Sequence, residues 1–447
     1  MLKKNDNIKS IIENYGCNAE GVCKANGQIV FVPYTIQNEK IEATIILDKK
    51  NFLIGKATKI VTPSENRIDA PCPYFSKCGG CQLQHIKYGE GLKIKTKILQ
   101  DTITNIAKQN FVVSPCRPSE NQYQYRNKMA LPINPKTRKV GMFRLSSHSI
   151  VDIDNCWLAK PNLNKLINVF NNYLQISQTT IYDEIKKTGV LKTLVAREIN
   201  GKLLVTVVVN ADDLSDKQLL IDLLKNNFAE VGLSLNINKQ NNNVILTEKF
   251  KHIFGLKEIV VKENGITYSI NNQSFLQIND EIKSEIYAEV FKQVENGFVI
   301  NAYSGAGLLS AMLCTHASQV VGIEIIDAAT VLANKLKEQN NIQNLHNLTA
   351  DCTTELPKII NKLSTVEKEN LSVVLDPPRK GCSVEVLNAI INAAPKNIIY
   401  ISCNPSTLAR DLKVVMDSGI YEINSIQGYD MFPQTKHIET LCILTKK

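Results

Sequence analysis

A chain of 447 residues has room for about three domains of ordinary size. With 44% hydrophobic and 21% charged residues it reads as a globular protein with filled cores, which excludes a disordered or fibrous chain. The net charge of +9 is concentrated: Pro71 to Ile150 carries thirteen Lys and Arg against Glu90, Asp101 and Glu120, and the remainder is near neutral. Such a local excess suits a polyanion, and Lys136, Arg138 and Lys139 are expected on the nucleic-acid face it implies. No run approaches the roughly 18 apolar residues of a membrane span, and the polar start MLKKNDNIKSIIENYG has no secretory apolar core. Twelve cysteines spread over the whole length point to metal ligation, a nucleophile and buried thiols in a cytoplasmic protein.

Residues 7–61 contain short runs rich in Val and Ile, including QIVFVPYTI, KIEATIILDKK and NFLIGKATKIV, broken by Asn-Gly and Lys/Asn turns. That pattern predicts a small OB-like β-barrel over residues 1–65. Pro63 and SENRIDAP read as a linker. Residues 66–265 form a central α+β domain, with a helix over 163–174 (LNKLINVFNNYL) and a buried strand over 203–211 (LLVTVVVNA). Over 266–447, the strands FVINAYSG, QVVGIEII, LSVVLDPP, NIIYISCNP and TLCILTKK alternate with helical stretches, as in a doubly wound α/β domain.

In PCPYFSKCGGCQLQH, Cys72, Cys78 and Cys81 are spaced C-x5-C-x2-C around Gly79 and Gly80. Three thiolates on a glycine turn can converge on one metal centre. A fourth ligand has to come from elsewhere, with Cys156 the first candidate and Cys116 the second. Spacing alone leaves tetrahedral zinc and an iron–sulfur cluster both open.

FVINAYSGAGLLSAML reads as strand, glycine turn and helix, with Gly305 and Gly307 clearing space for a cofactor. Glu324 ends the next strand, placed to accept hydrogen bonds from a ribose. Position 310 is Ser where a dinucleotide fingerprint has its third glycine, so a smaller nucleoside such as S-adenosylmethionine fits better. Asp351 follows the strand-like LHNLTA and either faces an adenine edge or serves as a turn residue. Asp376-Pro377-Pro378 makes a rigid turn at a strand's carboxyl end, where open α/β sheets hold ligands. In enzymes that methylate exocyclic amines an aromatic residue usually follows; Arg379 stands there instead, which counts against that chemistry. Cys403 lies between the strand NIIYIS and a helix, where the helix N-terminus is expected to lower its pKa.

QSFLQIN (273–279), NAYSGAG, DPPRKG, SCNPSTLARD and HIETL together closely resemble the RNA uridine-5-methyltransferase family. The barrel resembles a TRAM domain, and with the cysteine cluster the match is to the 23S ribosomal RNA branch. The resemblance implies a Rossmann-like methyltransferase domain over 266–447 using S-adenosylmethionine, with Cys403 as nucleophile and Glu439 as base. It further implies that Gln277, Tyr303, Glu324 and Asp376 contact the cofactor or hold the reacting groups. Cys72, Cys78, Cys81 and Cys156 would bind a [4Fe–4S] cluster, and the partner of a monomeric enzyme would be 23S rRNA. The glycine loop departs from the family pattern at Asn301 (usually Asp), Ser304 (usually Cys) and Leu308. Two other readings compete. A transfer-RNA T-loop uridine methyltransferase shares the catalytic motifs but typically lacks the barrel and the cysteines. A catalytically inactive iron–sulfur RNA-binding protein would have no need of both Cys403 and Glu439.

Overall fold

The computed structural model describes residues 1–274 and 276–447; Phe275, within the QSFLQIN motif, lies outside them. The chain divides into two compact units, each assembled from separated stretches. The first comprises Met1–Pro71, Cys81–Glu120 and Glu281–Lys447, and the second Cys72–Gly80 and Asn121–Asp280.

In the first unit, residues 7–62 form a six-stranded sheet. Lys40–Lys49 shows why: Ile41, Ala43 and Ile45 alternate with polar neighbours and are buried at 1% exposure or less. Asn26 and Gly27 both take positive φ, as the tight turn between Gly21–Ala25 and Gln28–Val32 requires. Asn7–Ile11 pairs with Lys40–Lys49, and two residues further on Glu13 N–H donates to the Val22 carbonyl. The sheet thereby returns on itself around Ile8, Cys23, Val30 and Leu53. A second apolar cluster joins Tyr15, Ala19 and Ile36 to Leu83, Ile94 and Ile98 of the helix-bearing stretch that follows.

The same unit holds an eight-stranded sheet. Its order is Leu345–Thr349, Gln319–Glu324, Phe298–Ala302, Leu371–Leu375, Asn397–Ser402, Glu439–Lys446, Tyr421–Tyr429 and Ser114–Arg117. The first five strands are parallel, and Glu439–Lys446 is inserted antiparallel to both its neighbours. Phe298–Ala302 and Leu371–Leu375 are buried at every position, as strands covered on both faces must be. The helices Asp327–Gln339, Cys352–Lys362, Val384–Ala393 and Pro405–Asp417 alternate with the strands. Sequence order put Cys81–Glu120 in the central block. Pairing of Ser114–Arg117 with Tyr421–Tyr429 places it with this sheet instead.

The second unit is built on a seven-stranded sheet of mixed direction. Pro161–Ile176 and Lys217–Asn227 pack on it through Leu166, Phe170, Leu220 and Leu224. The first of these helices covers the predicted 163–174, and Lys202–Val209 covers 203–209 of the predicted strand 203–211. Among the described residues no helix is long and apolar enough to cross a membrane.

Candidate active site

The chemistry-bearing residues of the first unit collect at the carboxyl ends of its parallel strands. After Phe298–Ala302 the backbone turns through Tyr303 (φ 62°), Gly305 (φ 56°) and Gly307 (φ 80°). A Cβ on Gly307 would lie 2.6 Å from Ala333 Cβ, so the close approach of turn and helix needs glycine. Glu324 braces this turn: its Oε2 accepts from Gly305 N–H at 2.9 Å and its Oε1 from Ile326 N–H at 2.9 Å. Asn301, the unusual residue of the loop, donates to Ser310 Oγ at 2.8 Å, and its buried Oδ1 has no partner among the described residues. Asn301 and Ser310 thus form a neutral hydrogen-bonded pair beneath the glycine turn. Asp351 caps the helix Cys352–Lys362, accepting from Thr353 N–H at 2.8 Å. That contact explains the residue structurally. The Tyr303 hydroxyl reaches the Cys382 thiol, and burial raises its pKa.

The juxtaposition of Cys403 and Glu439 is set by strand register. Ser402 is the partner of Thr440 in the antiparallel ladder, so the next pair outward is Cys403 and Glu439. Glu439 is 2% exposed, and its Oε2 has no hydrogen-bond partner among the described residues. Burial, then the charge of Asp376, holds its carboxyl well above the usual range, opposed by Arg379. Burial pushes Asp376 itself up to about 7. Cys403 departs from expectation. Burial and the adjacent Glu439 raise its pKa, Asp376 adds to the rise, and Arg379 is the cation that opposes it. The helix N-terminus does not prevail because Cys403 precedes the cap, Asn404, whose Oδ1 takes the free Ser406 N–H at 3.1 Å.

Arg379 is therefore a site residue that sequence reading noted only for what it excluded. Its loop is clamped. The Arg379 carbonyl accepts from Asn404 Nδ2 at 3.1 Å and Thr407 Oγ1 at 3.2 Å. Arg410 Nη2 reaches the carbonyls of Lys380 and Cys382, each at 3.0 Å. Asp411, 1% exposed, accepts from Cys382 N–H at 2.8 Å and Tyr400 Oη at 2.7 Å. The Arg-Asp of SCNPSTLARD was the available signal.

In the second unit, the Gln277 carbonyl accepts from Asn127 Nδ2 at 3.0 Å. Cys72, Cys78 and Cys156 are each half-buried, and their charges bear on one another. Gly80 N–H donates to Cys78 Sγ at 3.3 Å, and backbone N–H groups of Tyr74 and Phe75 face Cys72. A Cβ on Gly79 would sit 2.9 Å from Leu145 N, which fixes the need for glycine there. Cys81 begins the stretch Cys81–Glu120 of the first unit and is also half-buried. Among the described residues no three His, Cys, Asp or Glu side chains are gathered closely enough to hold a metal ion. The second candidate ligand, Cys116, is a buried thiol pushed up to about 12 by burial. Arg138, expected on the RNA face, is spent structurally: it donates to the carbonyls of Leu174, Ser177 and Thr179 at the end of Pro161–Ile176.

Parallel strands closed by an antiparallel hairpin, with a braced glycine turn, define the fold of an S-adenosylmethionine-dependent methyltransferase. The model of the tRNA (uracil-5-)-methyltransferase family matches residues 87–447, and the chain belongs to that family. It is 33% identical over 452 residues to an uncharacterized RNA methyltransferase of Clostridium tetani, covering 99% of this chain and 97% of the relative. It is also 33% identical over 456 residues to one of Clostridium acetobutylicum, covering 100% and 98%. Among solved structures it is similar to the Pyrococcus abyssi tRNA (uracil-54, C5)-methyltransferase in complex with S-adenosyl-L-homocysteine. That match has a TM-score of 0.79 and 25% identity over 98% of this chain and 99% of the other.

Proposed function

We propose that this enzyme methylates carbon 5 of a uridine in 23S rRNA, with Cys403 as nucleophile and Glu439 as base. The observation that carries the reading is the opposition of Cys403 and Glu439 at the end of one ladder. S-adenosylmethionine, when bound, supplies the methyl group as an electrophilic sulfonium. Carbon 5 of uracil becomes nucleophilic only after the Cys403 thiolate adds to carbon 6, forming the C6–S bond. Carbon 5 then takes the methyl group. Glu439 removes the carbon 5 proton, the double bond between carbons 5 and 6 re-forms, and the Cys403 thiolate leaves. Arg379 favours the anionic forms of both groups. Gly305 and Gly307 open the cofactor's place, while Gln277, Tyr303, Glu324, Asp351 and Asp376 contact it or hold its surroundings.

The choice of 23S rRNA rests on the N-terminal barrel, read as a TRAM domain, and on the cysteines. Cys72, Cys78, Cys81 and Cys156 would hold a [4Fe–4S] cluster. The N–H groups aimed at Cys72 and Cys78 suit thiolate ligands, whose charge such hydrogen bonds stabilise. One observation favours a second reading, a uridine of tRNA. The Pyrococcus abyssi enzyme matches this chain over 98% of its length, barrel region included. The barrel alone therefore does not separate the two substrates. Nucleoside analysis of 23S rRNA and tRNA from a deletion strain decides: 5-methyluridine should vanish from 23S rRNA and persist in tRNA. Loss from tRNA alone would replace the first reading with the second.

A further inference from the structure

Within the second unit, Lys128 and Arg197 stand directly opposite each other where Lys128–Asn134 pairs with Leu191–Ile199. Like charges in that position repel. Arg197 is 3% exposed. Its Nη2 donates to the Ser274 carbonyl at 2.6 Å, but the buried Nε and Nη1 have no acceptor among the described residues. Unmade bonds at a buried cation are costly. The carboxylate of Asp280 lies near enough to favour the charge on Arg197, yet it accepts from Lys160 Nζ at 3.1 Å and Asn127 Nδ2 at 3.2 Å. Burial together with Arg197 pushes the Lys128 pKa down to about 8.

Two opposed cations and two idle guanidinium donors are costly without a ligand and well matched to an anion with more than one oxygen. We propose that Lys128 and Arg197 form an anion site that takes a phosphodiester of the RNA substrate. A phosphate offers two non-bridging oxygens, one for an unpaired guanidinium N–H and one for the ammonium. The inference rests on the RNA-methyltransferase reading, and it adds a binding role for residues outside the catalytic sheet.

The test uses the full-length protein and a uridine-containing single-stranded RNA oligonucleotide, with fluorescence anisotropy at several salt concentrations. Lys128→Gln should weaken RNA binding about three- to tenfold and reduce the salt slope by about one. S-adenosylmethionine affinity, measured by calorimetry, should stay within about twofold. Without RNA, its Tm should equal or exceed that of the wild type, because a repulsion has been removed. Arg197→Lys, which keeps the charge and loses the unpaired guanidinium N–H groups, should weaken RNA binding with the slope retained. Unchanged RNA affinity and slope in Lys128→Gln would overturn the proposal, as would a fall in its Tm. Loss of S-adenosylmethionine binding with RNA binding intact would overturn it too, by assigning the site to a carboxylate. Formation of 5-methyluridine by the wild type is scored separately. Its absence, with the slope change present, would refute the methylation reading and leave the anion site standing.

Discussion

Cys403 and Glu439 occupy facing positions one step beyond the last pair, Ser402 and Thr440, of the antiparallel ladder in the catalytic sheet. The two side chains are thus spaced by backbone hydrogen bonds rather than by a flexible loop, which would give the proposed nucleophile and base a rigid setting for two successive steps at adjacent ring carbons.

The two should fail differently. Cys403→Ala removes the proposed nucleophile, and is expected to abolish both methylation and any covalent adduct with RNA. Glu439→Gln leaves attack and methyl transfer possible and removes the proposed base, so a methylated adduct should accumulate. Denaturing electrophoresis with labelled RNA reads this directly: a shifted band for the Gln variant and none for the Ala variant. Normal turnover by Glu439→Gln would show that another residue takes the proton.

Because burial and Glu439 raise the Cys403 pKa, the thiolate population, and with it kcat/KM, should climb as pH rises through neutrality. Arg379 lowers that pKa, so Arg379→Gln should displace the rising limb to higher pH and cost about tenfold at pH 7. Arg379→Lys should recover part of the displacement. A parallel drop at all pH values would instead mark a loss of binding.

Asp376 titrates at about 7 in the folded protein against 3.8 for an ordinary Asp. Its neutral form is the one the fold favours, so the corresponding stability is fully present below pH 3.8 and is lost as pH rises through 7. Asp376→Asn should therefore be more stable than the wild type at pH 8, by roughly 2–4 kcal/mol with allowance for partial exposure. The gap should shrink at pH 5 and close below pH 4. Thermal scans at the three pH values measure it. A pH-independent difference would mean that the substitution acts through packing.

Protein purified without oxygen should carry about four irons per chain and be brown, as a cubane on four thiolates requires. Cys156→Ser should bleach it. Stoichiometric zinc in place of iron would exclude the cluster.

Arg138→Ala strips three carbonyls at the end of Pro161–Ile176 of their donor, and should cost about 1–3 kcal/mol of stability. RNA affinity at low temperature should hardly change. Lys136, whose neighbour Asn134 engages only its backbone N–H, keeps its charge for solvent or RNA, and Lys136→Glu should lower the salt slope of binding. An unchanged slope would leave that face without a nucleic-acid role.

Much of the catalytic sheet was legible because each parallel strand is an unbroken apolar run followed by a motif, as in LSVVLDPP and NIIYISCNP. Local pattern also found the helix over Pro161–Ile176. It could not find the strand Ser114–Arg117, four residues whose pairing is with a segment more than three hundred positions away. The acidity of Cys403 was misjudged for the same reason. The helix beside it is a local feature, whereas Glu439, Asp376 and Arg379 arrive from other strand ends and decide the sign. The opposition of Lys128 and Arg197 is likewise a fact of register, invisible until two strands are aligned.

The helix Tyr88–Thr102 carries a consequence for how the molecule is made. Lys95, within it, is 1% exposed, and its ammonium is satisfied by Asp430 Oδ1 at 2.5 Å and the carbonyls of Phe432 and His437. None of these exists when Lys95 leaves the ribosome, and about 335 further residues must be translated before Asp430 follows. Through that interval the helix has a cation it cannot bury, while the second unit, whose strands fall between, can already close on its own core. The catalytic sheet is therefore the last part of the nascent chain to mature, and a protein stalled before residue 430 would present an unfinished sheet edge to chaperones and proteases.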